Sequence, residues 1–437
     1  MNLVSHKTQS LHGEIVCPGD KSVSQRIIII GSLLNCDMQV NGFLNAHDPI
    51  ATANALNAIG ASISINGTEV ILKKREILFN DSKQDLDLGN SGTGSRLLLG
   101  LISGLGLKST IIGDKSLQKR PMSRVIEPLK MMGAELSSNE GKLPIKTLGS
   151  KIIDNFEYEM PIASAQVKSC LLLAALASQK NIKVIEPKIT RDHTERIIEF
   201  FGGEIFYGSN KIPRVIELKN SQLQPKNSFN VPGDFSSAAF IIVATIISKD
   251  SEVLIKNVGL NESRKGLIEV LVLMGAKLEI KNQRKVSNEI VGDVFVKSSK
   301  LNGINVSDDI IPNIIDEIPI LSIAACFAEG KTVIKNAAEL KVKESDRLHA
   351  ISEGLTKLKI EHKIFDDGIS IIGTSEQIEC SESIDSFDDH RIAMSFLVSG
   401  IRSKNNVRVS NCKNIETSFP NFTHIMNTIG MRINEED

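Results

Sequence analysis

The sequence predicts an α/β protein built from six repeated units, grouped into two domains of three. Three observations carry this. An amphipathic run, a Gly-Ala-like break and an alternating apolar strand recur together six times. Between these copies lies a second recurring string, a polar or acidic start followed by an apolar helix rich in small residues. Finally, PGDKS at Pro18 is echoed by PGDFS at Pro232, as if the first half of the pattern restarted there.

The first string reads ALNAIGASISI from Ala55, PLKMMGAELSS from Pro128, IIEFFGGEIFY from Ile197 and VLVLMGAKLEI from Val270. Two degraded copies follow, GLTKLKIEHKI from Gly354 and HIMNTIGMRI from His424. Its markers are Gly60, Gly133, Gly202, Gly275 and Gly430, with Lys359 in the fifth copy. Their spacing gives a period of about 70 residues, one supersecondary unit each. Glycine there fits the turn after a helix, where positive φ is required. The fifth copy, lacking it, is expected to turn differently. The second string begins at Lys21, Asn90, Ser164, Asp234, Asp316 and Asp388, and each copy leads into a β-rich segment. Helices apolar nearly all round belong inside a domain, and the amphipathic set belongs outside. The expected division is one domain of residues 1–19 plus 231–437 and a second of residues 20–230.

A chain of 437 residues is long for a single core. A net charge of −1 argues against broad binding to nucleic acid or anionic membrane, and 4% aromatic content with no Trp leaves little for base stacking. The six cysteines are scattered and read as small core residues of a cytosolic protein. The eight histidines show no ligand spacing, so no metal site is readable. MNLVSHKTQ lacks the apolar stretch of a signal peptide, and Ala238–Ile247 is too short to span a bilayer.

The chemistry stands at the helix starts. Pro18 to Arg26 reads as a strand, a Pro-Gly turn and a helix whose first turns carry Lys21, Ser22 and Arg26. GNSGTGSR opens the second inner helix, and SAQVKS supplies Ser164, Gln166 and Lys168. Outer helices open with Arg120 and Arg124, with Arg191, His193 and Arg196, and with Lys343, Glu344 and Arg347; DDHR supplies Asp389, His390 and Arg391. A helix N-terminus presents unpaired N–H groups and partial positive charge, so cations there oppose the dipole. Their recurrence makes sense if anions bind between them and the backbone amides, as a small, highly anionic ligand in a cleft between domains would. No cofactor fingerprint is present, since GNSGTG matches neither Walker nor Rossmann spacing.

Taken together, PGDKSVSQR, GNSGTGSR, KRPM, SAQVKS, VPGDFSSAAF, KESDRL and DDHRIAM closely resemble the 5-enolpyruvylshikimate-3-phosphate (EPSP) synthase family, in the family's order and over essentially the whole chain. The resemblance implies two domains, each of three βαβαββ units, closing around the substrates. It implies transfer of the enolpyruvyl group of phosphoenolpyruvate to the 5-hydroxyl of 3-phosphoshikimate, with release of phosphate and without cofactor or metal. The expected partners are these two small molecules alone, bound by a cytoplasmic monomer. Carried over, Lys21, Ser22, Arg26, Ser164, Ala165, Gln166, Arg191, Asp316 and Lys343 would hold 3-phosphoshikimate. Lys21, Gly92, Arg120, Gln166, Arg347 and Arg391 would hold phosphoenolpyruvate. Asp316 would take the 5-hydroxyl proton; Glu344, helped by Lys21, would move protons at the methylene, and His390 would support the site.

The resemblance departs in two places: Thr417 stands where many members carry a lysine, and Glu339 where some carry an asparagine. The GNSGTGSRLL loop resembles members that tolerate glyphosate, an inhibitor competing for the phosphoenolpyruvate site; with Gly92 retained, partial tolerance is expected. A sister transferase acting on a UDP-amino sugar shares the fold. It is disfavoured because Ser22, not asparagine, follows Lys21, and because GDKSLQKRP contains no cysteine. A non-catalytic repeat scaffold is disfavoured by the concentration of basic residues at helix starts.

Overall fold

The computed structural model describes residues 1–75, 79–208 and 212–436. The chain forms two compact units. An inserted unit comprises Gly19–Pro232 with Lys285–Glu289, and a terminal unit comprises Met1–Pro18, Gly233–Arg284 and Ile290–Asp437. Residues 285–289 are the tip of the hairpin formed by strands Lys277–Val286 and Glu289–Lys297. They belong to the inserted unit rather than to the domain in which the sequence division placed them.

The inserted unit has three repeats. Their helix pairs are α1 (Lys21–Leu34) and α2 (His47–Ala58), α3 (Gly92–Leu105) and α4 (Ser123–Met131), and α5 (Ala165–Ser178) and α6 (His193–Phe200). Each pair belongs to a four-stranded sheet of constant order. In the second repeat, strand Leu86–Asp87 runs parallel to Lys108–Ile112, which pairs antiparallel with Lys142–Ser150, which pairs in turn with Ala134–Asn139. The third repeat copies this with Phe156–Glu159, Ile182–Glu186, Arg214–Leu218 and Ile205–Tyr207. In the first repeat the leading strand is Ser228–Asn230, which returns from the far end of the unit to lie parallel to Met38–Asn41.

The terminal unit repeats the scheme with α7 (Phe235–Ile247), α8 (Gly266–Leu273), the short α9 (Ile311–Ile314), α10 (Ile318–Cys326), α11 (Arg347–Lys357), α12 (His390–Ser399) and α13 (Phe422–Thr428). His12–Val16 leads the first of its sheets, parallel to Glu252–Gly259. In the middle repeat the second strand is interrupted at Gly330. Ala328–Glu329 pairs with Leu301–Asn302, and Lys331–Ile334 pairs with Gly368–Ile372. In the last repeat Asn2–His6 is inserted between Val407–Ser410 and Arg432–Glu436, antiparallel to both. Six βαβαββ units result.

Each unit has its own core. The helices apolar all round are the buried ones, as the pattern required: every residue of α7 is buried, and Ile27–Ile30 of α1 are fully inaccessible. Each such isoleucine contributes about 1.5–3 kcal/mol by leaving water. The helices α3 and α5 pack backbone to backbone. A Cβ at Gly100 would lie 2.2 Å from the Cys170 carbonyl oxygen, and one at Gly104 would lie 2.4 Å from that of Ala174. Five of the six cysteines are buried and Cys36 is half-buried, with no disulfide.

The marker glycines after the outer helices adopt positive φ: 104° at Gly60, 103° at Gly133, 78° at Gly202, 101° at Gly275 and 109° at Gly430. The expectation of a different turn in the fifth copy is corrected by the structure. Lys359 itself adopts φ 55°, the same left-handed region. The chain keeps the turn and accepts the clash between Cβ and the carbonyl oxygen, a strain of about 1–2 kcal/mol.

Candidate functional site

In the inserted unit, four helix N-termini are tied together. Asp20 caps α1 by accepting from the Val23 N–H at 2.8 Å. The preceding Gly19 is obligatory, because a Cβ there would lie 1.9 Å from the Gly42 carbonyl oxygen. Ser91 caps α3 and Ser164 caps α5. Gln25 of α1 donates to Ser91 at 2.6 Å, which joins the first two starts. Gln166 donates to Thr93 at 3.0 Å and accepts from Arg96 at 2.8 Å, which joins the second and third. Arg26, only 3% exposed, donates to Thr194 of α6 at 2.8 Å, to Ser169 of α5 at 3.3 Å and to the Ser22 carbonyl at 3.0 Å.

Lys21 opens α1, and its ammonium lies 3.1 Å from Asp48. The Arg120 guanidinium lies over Gly92, where a Cβ would stand 2.6 Å from its Nη1. Ser22 and Ala165 occupy the first turns of α1 and α5, and Arg191 lies half-buried in the loop ahead of α6. His193 begins α6 and meets Glu289 of the hairpin tip at 2.6 Å. Arg96 was quoted in the sequence motif but given no role. Buried, it bonds Gln166, the Gly92 carbonyl (3.2 Å) and the Pro121 carbonyl (3.1 Å), and so ties three candidate segments together. Asp48 was missed altogether; a buried Asp–Pro at a helix start was its only signal.

In the terminal unit the candidates form one charged cluster. Asp316 lies 3.3 Å from Arg347, 3.6 Å from Lys343 and 4.0 Å from Arg391, and its carbonyl accepts from Arg391 at 2.9 Å. Glu344 lies 2.6 Å from Arg347. Arg347, 1% exposed, is also held by Asp389 at 2.8 Å. Asp389 caps α12 by accepting from the Arg391 N–H at 2.9 Å, and the buried His390 begins that helix. Beneath them, Arg391 meets Glu317 at 3.4 Å and Ser236 at 3.3 Å, and Arg264 donates to Ser236 at 2.6 Å. Ser236 belongs to PGDFS, the echo of the first motif, which here serves packing of the charged layer.

Two local expectations change. Asp316 does not open its helix: α10 starts two residues later with Glu317 at its N-cap and no side-chain cap bond. The Asp316 carboxylate thus stands ahead of the helix, among the cations. Lys343 and Glu344 lie ahead of α11 rather than within it, after a short 3-10 turn (Ala338–Val342) that contains Glu339. Thr417 ends another 3-10 turn, donating to the Asn414 carbonyl at 2.7 Å. Several cations at helix starts, Lys21, Lys343, Arg347 and Arg391, also have carboxylates beside them in the protein itself. A buried guanidinium is stabilised by a counter-charge and hydrogen bonds whether or not an anionic ligand is present.

The electrostatics follow from this packing. Burial alone would push the Arg347 guanidinium down, but Asp389, Glu344 and Asp316 raise it, so it stays charged. Burial pushes the Asp389 carboxyl up, yet Arg347 with His390 outweighs it and holds the group below its ordinary 3.8. Lys343 is pulled below 10.5 by burial, which Asp316 only partly offsets. The cluster therefore places two carboxylates, Asp316 and Glu344, beside fixed positive charge: groups able to move protons next to groups able to hold anions.

Among the described residues no helix is long and apolar enough to cross a membrane. The family model for EPSP synthase (3-phosphoshikimate 1-carboxyvinyltransferase) matches residues 5–426. A 3-phosphoshikimate 1-carboxyvinyltransferase of Petrotoga mobilis is 45% identical over 97% of this chain and 98% of its own length. One from Legionella pneumophila is 43% identical over 100% and 99%. The structure of EPSP synthase from Acinetobacter baumannii superposes with a TM-score of 0.86 at 36% identity, covering 99% of this chain and all of the other. By fold, by sequence and by a match running nearly end to end, the chain belongs to the EPSP synthase (3-phosphoshikimate 1-carboxyvinyltransferase) family.

Proposed function

We infer that the chain transfers the enolpyruvyl group of phosphoenolpyruvate to the 5-hydroxyl of 3-phosphoshikimate and releases phosphate, a step of the shikimate pathway toward chorismate and the aromatic amino acids. In the addition half, the 5-hydroxyl oxygen bonds to C2 of phosphoenolpyruvate while its methylene carbon takes a proton. In the elimination half, the bond from C2 to the phosphate oxygen breaks as the methyl carbon beside C2 gives up a proton, restoring the double bond. Atoms and charge balance with no oxidant or reductant.

The single observation that carries the reading is the terminal-unit cluster, where Asp316 and Glu344 stand within 4 Å of Lys343 or Arg347. In this reading Asp316 accepts the 5-hydroxyl proton. Glu344, with Lys21, exchanges protons at the methylene carbon, and His390 steadies the surroundings. Ser22, Arg26, Ser164, Ala165, Gln166 and Arg191 of the inserted unit, with Lys343, hold 3-phosphoshikimate. Lys21, Gly92, Arg120 and Gln166, with Arg347 and Arg391, hold phosphoenolpyruvate. Because Arg347 is already engaged by three carboxylates, an entering anion has to compete with one of them. The test is phosphate release from phosphoenolpyruvate, measured with 3-phosphoshikimate and separately with the UDP-amino sugar. Release only with 3-phosphoshikimate is expected; release only with the sugar nucleotide refutes the assignment.

A further inference from the structure

Behind the helix starts of the inserted unit lies an ionic cluster with no exposure to solvent. Lys168 of α5, Glu195 of α6 and Glu186, the last residue of strand Ile182–Glu186, are each 0% exposed. The Lys168 ammonium lies 2.7 Å from Glu195 and 3.1 Å from Glu186, and 3.5 Å from the Thr190 carbonyl. Glu186 accepts from the Thr190 hydroxyl at 2.7 Å and lies 3.8 Å from Arg214. None of Lys168, Glu186 and Glu195 reaches the surface on which a ligand could sit.

Burying three charges is costly, and replacing such a cluster by apolar residues is often neutral or stabilising. A stability argument therefore does not account for it. Its position does. Lys168 is four residues past Ser164 and two past Gln166; Glu195 is four past Arg191; and Thr190 is the residue before Arg191. The adjacent residues on each helix, Ser169 after Lys168 and Thr194 before Glu195, are bonded to each other at 2.7 Å and together receive the Arg26 guanidinium. One buried bridge thus fixes the first turn of α5, the first turn of α6 and the loop carrying Arg191, and through Ser169 and Thr194 it fixes Arg26. Burial alone would push Lys168 down, and the two carboxylates more than reverse this, so the bridge keeps its cation.

We propose that the Lys168–Glu186–Glu195 cluster is a positioning device that holds Ser164, Gln166, Arg26 and Arg191 in register for the phosphate of 3-phosphoshikimate, without touching the ligand. The proposal rests on the assignment of those four residues above. A directional bridge suits this task better than apolar packing, because it sets the rotation and the axial offset of two helix ends together. A phosphate held by several donors is sensitive to both, and misplacement near 1 Å costs up to about 100-fold in rate.

The experiment compares the wild type with Lys168→Met/Glu195→Leu, with Glu195→Gln and with Glu195→Ala. The double substitution removes one charge of each sign and leaves Glu186 with Arg214 and Thr190. Thermal midpoint, calorimetric binding of 3-phosphoshikimate, kcat and both KM values are read for each. The double variant is expected to melt close to the wild type, to bind 3-phosphoshikimate about 10-fold more weakly with a matching rise in its KM, and to keep kcat within about threefold. Glu195→Gln, which retains shape and a hydrogen bond, is expected to stay near wild type, with Glu195→Ala resembling the double variant. Wild-type affinity in both the double variant and Glu195→Ala overturns the proposal, as does a loss of kcat and both KM values in proportion to lost stability. Should the double variant fail to fold, the Gln and Ala pair decides. A wild type that neither binds nor turns over 3-phosphoshikimate refutes the functional assignment instead.

Discussion

Replacing Asp316 by Asn separates chemistry from binding. The substitution preserves volume and leaves an amide oxygen for the 5-hydroxyl, but it removes the only proton acceptor assigned to that hydroxyl. Loss of a general base lowers turnover by about 10²–10⁴, equivalent to about 3–5 kcal/mol at 1.36 kcal/mol per tenfold. The same change acts on the ground state with the opposite sign. Asp316 stands 3.3 Å from Arg347, 3.6 Å from Lys343 and 4.0 Å from Arg391. With an effective dielectric near 20, each attraction is about 4–5 kcal/mol before desolvation is subtracted. Removing it leaves three cations with less compensation, which favours incoming phosphates and carboxylates. 3-Phosphoshikimate is therefore expected to bind the variant as tightly as the wild type, or more tightly, while turnover collapses. Steady-state phosphate release beside calorimetric titration makes the comparison. Turnover within a few-fold of wild type, or affinity falling in parallel with turnover, refutes the assignment of Asp316 as base.

Four further outcomes follow from single contacts. Gly92→Ala forces the Arg120 guanidinium away from a Cβ that would otherwise stand 2.6 Å from its Nη1; KM for phosphoenolpyruvate is expected to rise more than KM for 3-phosphoshikimate, and equal changes would refute the pairing of Arg120 with the first substrate. Because burial, against the pull of Asp316, holds the Lys343 ammonium below 10.5, it loses its charge at lower pH than an exposed lysine. The alkaline limb of kcat/KM for 3-phosphoshikimate, which reports the free enzyme, should move to higher pH in Lys343→Arg; an unmoved limb rejects Lys343 as its origin. Lys359→Gly relieves the left-handed strain at φ 55°, less the extra flexibility of glycine, for a net gain of about 0.5–1 kcal/mol, visible as a slightly higher thermal midpoint. In the native protein, a thiol reagent should label Cys36 first, since the other five cysteines are buried; rapid release of more than one equivalent would contradict the packing.

The repeat architecture was legible because each unit repeats both of its signals, an apolar inner helix and a turn after the outer helix, at a nearly constant interval. A local feature seen once is ambiguous, whereas the same feature six times is not. The Lys359 turn shows the limit of reading residue by residue: the fold imposes the geometry on an unfavourable side chain because the neighbouring helix and strand determine the turn. In the site, the placement of Lys21, Arg120, Arg347 and Arg391 near helix starts could be read. Their partners could not. Asp48 is brought to Lys21 from 27 residues away, and Asp389 to Arg347 from 42. The buried layer of Glu317, Ser236 and Arg264 likewise unites three segments that share no sequence signal. Charge compensation is a three-dimensional requirement, and a single sequence records only the identities of the groups, not which of them meet.

The placement of the leading strands sets an order of assembly during synthesis. Strand Ser228–Asn230 closes the first sheet of the inserted unit, and the tip Lys285–Glu289 completes that unit's membership, so everything it needs has been made once about two-thirds of the chain has emerged. The terminal unit is in the opposite situation. Asn2–His6 is bordered by Val407–Ser410 and Arg432–Glu436, which are made roughly 400 residues later. A nascent chain must therefore carry an unpaired strand, Leu3 and Val4 included, while the intervening residues are made. Ribosome-bound chains halted at about residue 340, so that the tip has cleared the exit tunnel, should contain a protease-resistant inserted unit beside an N-terminal strand still open to cleavage, and that strand is the natural target for a chaperone that binds short apolar segments.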